Sequence, residues 1–399
     1  MLFILPLLGC LAVVQGAAFT PQVSLLTDLP QFQNLEQTTV RSVLRTINDK
    51  KLKGTPFYFG STLADLSVAP QNAAWTSARF EDTWNLIVAE NNCKWFSNEP
   101  ASPGLFNLTA CESLRNYAFQ RGIAFRGFWH NQRPDWLVNN PFNFTATDLN
   151  KTIIPTAVET VIEGLGSTLV SWDVVNEILW PNFAIDGNTS SPMLFSDSSF
   201  INTALLSADK ARKKIHSNLK LFVNEYNSMS AHFVLTFVVC LSISLAVGGD
   251  FPSQAKTECA FKMLTQLQAS GVPIDGLGIQ SHYSANPQAF PSKESAHFTM
   301  DRLKNMGVMG AITEMDVWLP DNTTESLRWQ KASIFGDILD TCLFSSNCNE
   351  FIVWDNRDDE SWLNSASNTG IHQGTLFDAS GNPKLPYFEG MSNPLQQAE

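Results

Sequence analysis

The strongest constraint on how this 399-residue chain folds is an alternation: short β-like runs recur between longer stretches of helical periodicity. The runs fall at 57–60, 86–88, 123–125, 169–175, 220–224, 276–280, 309–313 and 351–354. Amphipathic patterns such as 204–217 and 257–269 lie between several of them. Strands separated by helices cannot pair as hairpins, so the pattern predicts a parallel sheet closed on itself, an α/β chain forming a (β/α)8 TIM barrel. One catalytic barrel is expected over residues 53–395, without internal repeats or a low-complexity linker. In such a barrel the C-terminal strand ends build the active face, and the chemically interesting residues here cluster at strand ends.

The ends and the composition narrow the setting. Met1 opens an apolar run, Leu2 to Val14, closed by Gly16-Ala17-Ala18. It is too short to span a bilayer and ends on small residues, so residues 1–17 read as a secretory signal peptide and 18–52 as a lead-in. Sequons at Asn107, Asn143, Asn150, Asn188 and Asn322 fit a secreted, extracellular glycoprotein. A formal charge of −12 without a basic cluster argues against nucleic acid as a partner. Of the seven cysteines, Cys10 leaves with the leader. Cys342 and Cys348 flank a short polar turn where a disulfide can form, Cys93 and Cys111 are a candidate second pair, and the connectivity stays open.

One block breaks the pattern. In residues 229–249 the apolar core, Phe233 to Val247, is too short and too Ser/Thr-broken for a transmembrane helix, yet the block is too apolar for a loop after the fifth strand. The preferred reading is an intron translated in frame, the alternative a genuine inserted helix. A membrane anchor would have to emerge from the middle of a closed barrel, so no membrane partner is expected.

Two motifs carry the chemistry. In Trp172-Asp173-Val174-Val175-Asn176-Glu177 an apolar strand ends in an amide and a carboxylic acid. A glutamate at such a rim is partly desolvated, which suits a general acid, and Asn176 can bond a sugar hydroxyl next to the reacting carbon. In Ala311-Ile312-Thr313-Glu314-Met315-Asp316 two carboxylates stand two residues apart and share one face of a strand. They need a donor between them, and His282, closing the preceding run, is predicted to bridge Glu314 and Asp316 and to hold Glu314 ionised as a nucleophile. The fourth and seventh strands lie across a barrel mouth, so Glu177 and Glu314 can face each other as a retaining glycosidase requires. Glu90, Asn91 and Lys94 follow the second strand, and Trp129 with Gln132 the third. Asn224 through Asn227, including Tyr226, end the fifth, and Trp354 and Trp362 frame the loop after the eighth. A pair of tryptophans there can form a platform for pyranose faces.

Over nearly its whole mature length the sequence resembles glycoside hydrolase family 10, the endo-β-1,4-xylanases. The resemblance rests on Ala89-Glu90-Asn91 with Lys94-Trp95, on 172–177, 224–227, 278–282 and 312–316, and on Trp354 with Trp362. It implies Glu177 as acid/base and Glu314 as nucleophile, with Gln280, His282 and Asp316 supporting the nucleophile. Glu90, Asn91, Lys94, Trp129, Gln132, Asn176, Tyr226, Trp354 and Trp362 are then expected to line the cleft. It further implies a Cys342–Cys348 disulfide, a monomer, and no metal or organic cofactor. The chain departs from the family after the third strand. Members read Arg-Gly-His-x-x-x-Trp-His-x-Gln, while Arg126-Gly127-Phe128-Trp129-His130-Asn131-Gln132 is about three residues shorter and lacks the first histidine. That change puts the placement of Trp129 in question and keeps two alternatives in view, a related β-1,4-glucanase and a catalytically impaired xylan-binding member.

Overall fold

The structure, a computed structural model, describes residues 56–64, 66, 84–129, 133–140, 143–179, 199–226, 228–229, 251–285, 290–319, 324–366, 373–381, 383–384, 387 and 390–391. The expected leader, the lead-in, Gln132, the sequons at Asn188 and Asn322, and all of 229–249 except Met229 lie outside these residues.

Parallel strands form the frame: β1 Tyr58–Leu63, β2 Leu86–Ala89, β3 Ala124–Phe128, β4 Leu169–Asn176, β5 Lys220–Glu225, β6 Gly276–Ile279, β7 Met309–Trp318 and β8 Cys348–Val353. Each pairs with its neighbour in chain order, and β8 returns to β1 through Tyr58↔Glu350 and Ser61↔Val353, closing the barrel. Helices fill the crossovers: α1 Thr109–Gln120, α2 Ile154–Leu165, α3 Ser199–Lys214, α4 Phe251–Ala269, α5 Lys293–Asn305 and α6 Glu325–Phe344. α2 shows why these stretches are helical. Ile154, Ala157, Val158, Val161, Ile162 and Leu165 recur at three- and four-residue spacing and are all buried. Fully burying one such aliphatic side chain contributes about 1.5–3 kcal/mol. The helix stops where Gly166 takes φ 71°, a conformation open to glycine.

The seventh strand is longer than its expected 309–313. It runs on to Trp318 because the carboxylates of Glu314 and Asp316, which look like a strand end in sequence, are paired inside the barrel mouth. A short strand absent from the expected set, His282–Ser284, pairs with this extension in the register His282↔Asp316 to Ser284↔Trp318.

The barrel interior is partly ionic. Arg126 on β3 is fully buried and bonds Asp173 through Nε at 2.9 Å and Ser171 through Nη1 at 3.0 Å, both on β4. It also pairs with Glu350 on β8, and its guanidinium lies over the Phe222 ring of β5. Such a charge costs a large desolvation penalty unless it is matched by partners of this kind. Disulfides join Cys93 to Cys111 and Cys342 to Cys348, and Cys259 is buried. Asn107 and Asn143 are exposed, while Asn150 is half-buried and its amide nitrogen bonds Ser199 Oγ at 2.7 Å. Among the described residues no helix is long and apolar enough to cross a membrane.

Candidate active site

The site gathers at the C-terminal ends of the strands. Five non-glycine described residues have positive φ, and three of them stand just past β4, β6 and β8: Glu177 at 52°, Ser281 at 62° and Asp355 at 62°. Backbone strain of this kind persists only where the surroundings over-determine it, and here it lies along one rim.

Glu314 points into the mouth from β7 and is 4% exposed. Its Oε1 accepts from Asn224 Nδ2 at 2.6 Å and its Oε2 contacts His282 Nε2 at 3.2 Å. The other nitrogen of His282 meets Asp316 Oδ2 at 2.9 Å, so the imidazole spans the two carboxylates as their two-residue spacing suggests. Burial works to lower the basicity of His282, but Asp316 and Glu314 outweigh it and hold the ring well above the usual histidine range, charged and donating from both nitrogens. Burial pushes the Glu314 carboxyl above its ordinary range, and the imidazolium pulls it back only in part. The charges of Glu177 and Asp173 add to the upward push.

Asn224 reaches Glu314 because Gly278 stands beside it. A Cβ at Gly278 would lie 2.3 Å from Asn224 Oδ1. The same Asn224 amide donates to Asn176 Oδ1 at 2.8 Å and accepts from Thr313 Oγ1 at 2.6 Å. Asn176 Nδ2 is buried without a partner among the described residues.

Gln280 departs from expectation. Its amide donates to Glu177 Oε1 at 2.8 Å and to Asn176 Oδ1 at 3.3 Å, not to Glu314. On an extended strand Gln280 and His282 would share a face, but the left-handed Ser281 between them sends one side chain to each glutamate. The two carboxyls are therefore linked, Glu177 to Gln280 to Asn176 to Asn224 to Glu314.

Across the mouth, Asn91 donates to Glu90 Oε1 at 2.8 Å and accepts from Lys94 Nζ at 2.9 Å. Burial lowers the Lys94 ammonium, while Glu314, Glu90, Glu177 and Asp355 act to keep it charged. Trp354 is 6% exposed, with its ring 6.5 Å from His282 and 6.0 Å from Phe128. Trp362 is 39% exposed, lies 5.0 Å from the His282 ring, and donates through Nε1 to Asp316 Oδ2 at 2.7 Å. Tyr226 sits at the end of β5 beneath the Lys256 ammonium, and burial together with Glu225 and Glu177 pushes its phenol up to about 12.

Trp129 is not brought to the open cleft. It is 1% exposed and stacks on Trp95 at 4.8 Å. Strand alternation explains this: β3 runs to Phe128, which takes the inward position beside Trp354 and Lys94, so the next residue turns outward into the layer beneath the helices. Two buried carboxyls, Asp355 and Glu225, carry no assigned role in the sequence reading. Asp355 accepts from Trp362 N at 2.7 Å and from Thr62 Oγ1 at 3.3 Å, and burial reinforced by Glu90 pushes its carboxyl up to about 8. Glu225, fully buried, accepts from the backbone of Ile178 and Leu179. Among the described residues no cluster of His, Cys, Asp and Glu is arranged to hold a metal.

A closed parallel barrel with two linked carboxyls, an imidazolium brace and a tryptophan face at its C-terminal rim has the form of a glycoside hydrolase. The profile of glycosyl hydrolase family 10 matches residues 48–241 and 250–393, and the chain belongs to that family. Endo-1,4-beta-xylanase B of Neocallimastix patriciarum is 30% identical over 318 residues, 78% of this chain and 32% of that protein, so the chain spans about a third of that relative. An endo-1,4-beta-xylanase of Agaricus bisporus is 29% identical over 285 residues, 70% of this chain and 74% of its own length. Among solved structures, the family 10 xylanase of Bispora sp. MEY-1, described with xylobiose, superposes with a TM-score of 0.74 at 22% identity, covering 89% of this chain and 99% of that one. At that identity the likeness speaks for the fold.

Proposed function

We propose that this chain is a secreted, retaining endo-β-1,4-xylanase that cuts internal bonds of xylan, with Glu314 as nucleophile and Glu177 as acid/base. The observation that carries the reading is the pair of carboxyls on facing strands, joined by one hydrogen-bond path and held in unlike environments. In the first step the Glu177 carboxylic acid gives its proton to the glycosidic oxygen while a Glu314 carboxylate oxygen bonds the anomeric carbon, and the leaving chain departs as an alcohol. In the second, ionised Glu177 takes a proton from water, whose oxygen displaces Glu314 from that carbon. Asn176 Nδ2, a buried donor with no partner among the described residues, suits the sugar hydroxyl adjacent to the reacting centre, a bond that strengthens in the transition state. Glu90, Asn91 and Lys94 bind hydroxyls on the glycone side, and Trp362 offers an exposed ring to a sugar face.

The test is reducing-end release by the full chain from xylan, from cellulose chains and from mixed-linkage glucan. Xylan turnover with little release from the glucans supports the proposal. Faster release from glucans identifies a β-1,4-glucanase, and binding to xylan without turnover identifies an impaired member, an outcome the Phe128 substitution makes worth testing. For residues 229–249 the proposal is a translated intron; transcript reads joining residue 227 or 228 directly to 248–250 support it, and reads continuous through the block overturn it.

A further inference from the structure

Glu177 enters the cleft from a left-handed backbone conformation, φ 52°, one residue beyond β4. A glutamate holds that conformation only if its neighbours leave it no alternative. Three consecutive amides supply the constraint. Glu177 N donates to Asn224 O at 2.9 Å, and Ile178 N and Leu179 N both donate to Glu225 Oε1, at 2.6 and 2.8 Å. The Glu225 side chain is fully buried, and its second oxygen meets Lys256 Nζ at 2.7 Å. Lys256 is 3% exposed and its ammonium lies 2.9 Å from the centroid of the Tyr226 ring. Neither Glu225 Oε2 nor Lys256 Nζ has another hydrogen-bonding partner among the described residues, so each charge depends on the other.

We propose that Glu225, clamped by Lys256, is a positioning residue for the acid/base: it fixes the turn from which Glu177 reaches the glycosidic oxygen. The inference rests on the reading of Glu177 as acid/base. It gives Lys256, at the far side of the 229–249 block in sequence, a task at the site. The titratable groups around Glu177 are Glu225 at the end of β5 and Tyr226 just past it, Lys256 on α4, Glu314 on β7 and Lys94 after β2. Burial pushes the Glu225 carboxyl up to about 7 against the pull of Lys256, and where it is ionised the two oppose each other, so removing one leaves the other uncompensated.

The signs follow. Glu225→Gln keeps an acceptor for the two amides but leaves the Lys256 cation, which favours ionised Glu177, so the basic limb of the kcat/KM profile moves down by about 0.5 pH unit or more. Lys256→Met removes the cation and moves that limb up. Glu225→Ala loses the acceptor as well, and kcat on xylan falls at least about tenfold with KM nearly unchanged. For an aryl xylobioside with a good leaving group, kcat/KM, which reports a glycosylation step needing no proton from Glu177, falls less than about threefold. Unmoved limbs in both conservative variants, or equal loss on both substrates in Glu225→Ala, would overturn the proposal. The Glu177→Ala variant separates this failure from that of the underlying reading: if kcat/KM falls alike for xylan and for the aryl substrate, whose glycosylation step needs no acid, Glu177 is not the acid.

Discussion

Glu314 lies within the longest strand of the barrel, 4% exposed, with a hydrogen-bonding contact at each carboxyl oxygen, whereas Glu177 stands one residue past β4, half-buried, on a turn borrowed from β5. The first is held by side chains, the second by its backbone together with the Gln280 amide at Oε1. That difference matches the two roles. A nucleophile needs one orientation and a charge, so a rigid polar socket serves it. An acid/base must exchange protons with a leaving group and then with water, so it needs a fixed root and an accessible tip.

Substitutions separate the two holds. Glu314→Ala should lower kcat on xylan by on the order of 10⁴–10⁶-fold, as loss of a nucleophile that acts with its partners as a unit does. Initial rates at high enzyme concentration measure it. Glu177→Ala should lower kcat/KM about 10²–10⁴-fold on xylan and far less on an aryl xylobioside, because in the glycosylation step only the poor leaving group needs protonation, while kcat on the aryl substrate falls as the step that needs Glu177 as base becomes limiting. Equal losses in both variants on both substrates would erase the asymmetry.

Much of this frame was legible in the sequence. The alternation of short apolar runs and helical stretches led to the barrel, and the two-residue spacing of Glu314 and Asp316 led to His282 between them, where the structure has it. Other parts had no local signal. Gln280 reaches Glu177 because Ser281 is left-handed, and a serine does not announce that conformation. Trp129 turned outward because Phe128, the last residue of β3, takes the inward position beside Trp354. Lys256 lay outside the expected helix, 257–269, since α4 begins at Phe251; its partner is 31 positions earlier, and periodicity says nothing about charges buried in pairs.

Smaller effects sharpen the contrast. Gly278→Ala puts a methyl where the Asn224 amide lies, so kcat should fall about tenfold or more through the nucleophile's socket, with the basic limb unchanged. pH-rate profiles of the purified variant check both parts. The acidic limb belongs to Glu314, whose active form is the carboxylate. Its pKa is raised, so activity is lost on falling pH above the ordinary glutamate value of about 4.3. His282→Gln removes the imidazolium that pulls Glu314 down, and should move that limb up by about one unit.

The central claim, that Glu314 bonds the sugar while Glu177 handles the proton, is tested most directly by trapping. The full chain is incubated with an aryl xylobioside fluorinated at C2, which destabilises the oxocarbenium-like transition state and lets a glycosyl-enzyme accumulate. Peptide mass spectrometry should find one added fluoroxylobiosyl group, on the peptide containing Glu314 and on that residue. A label on Glu177 or elsewhere, or an unlabelled enzyme that releases product of inverted configuration, would contradict the account.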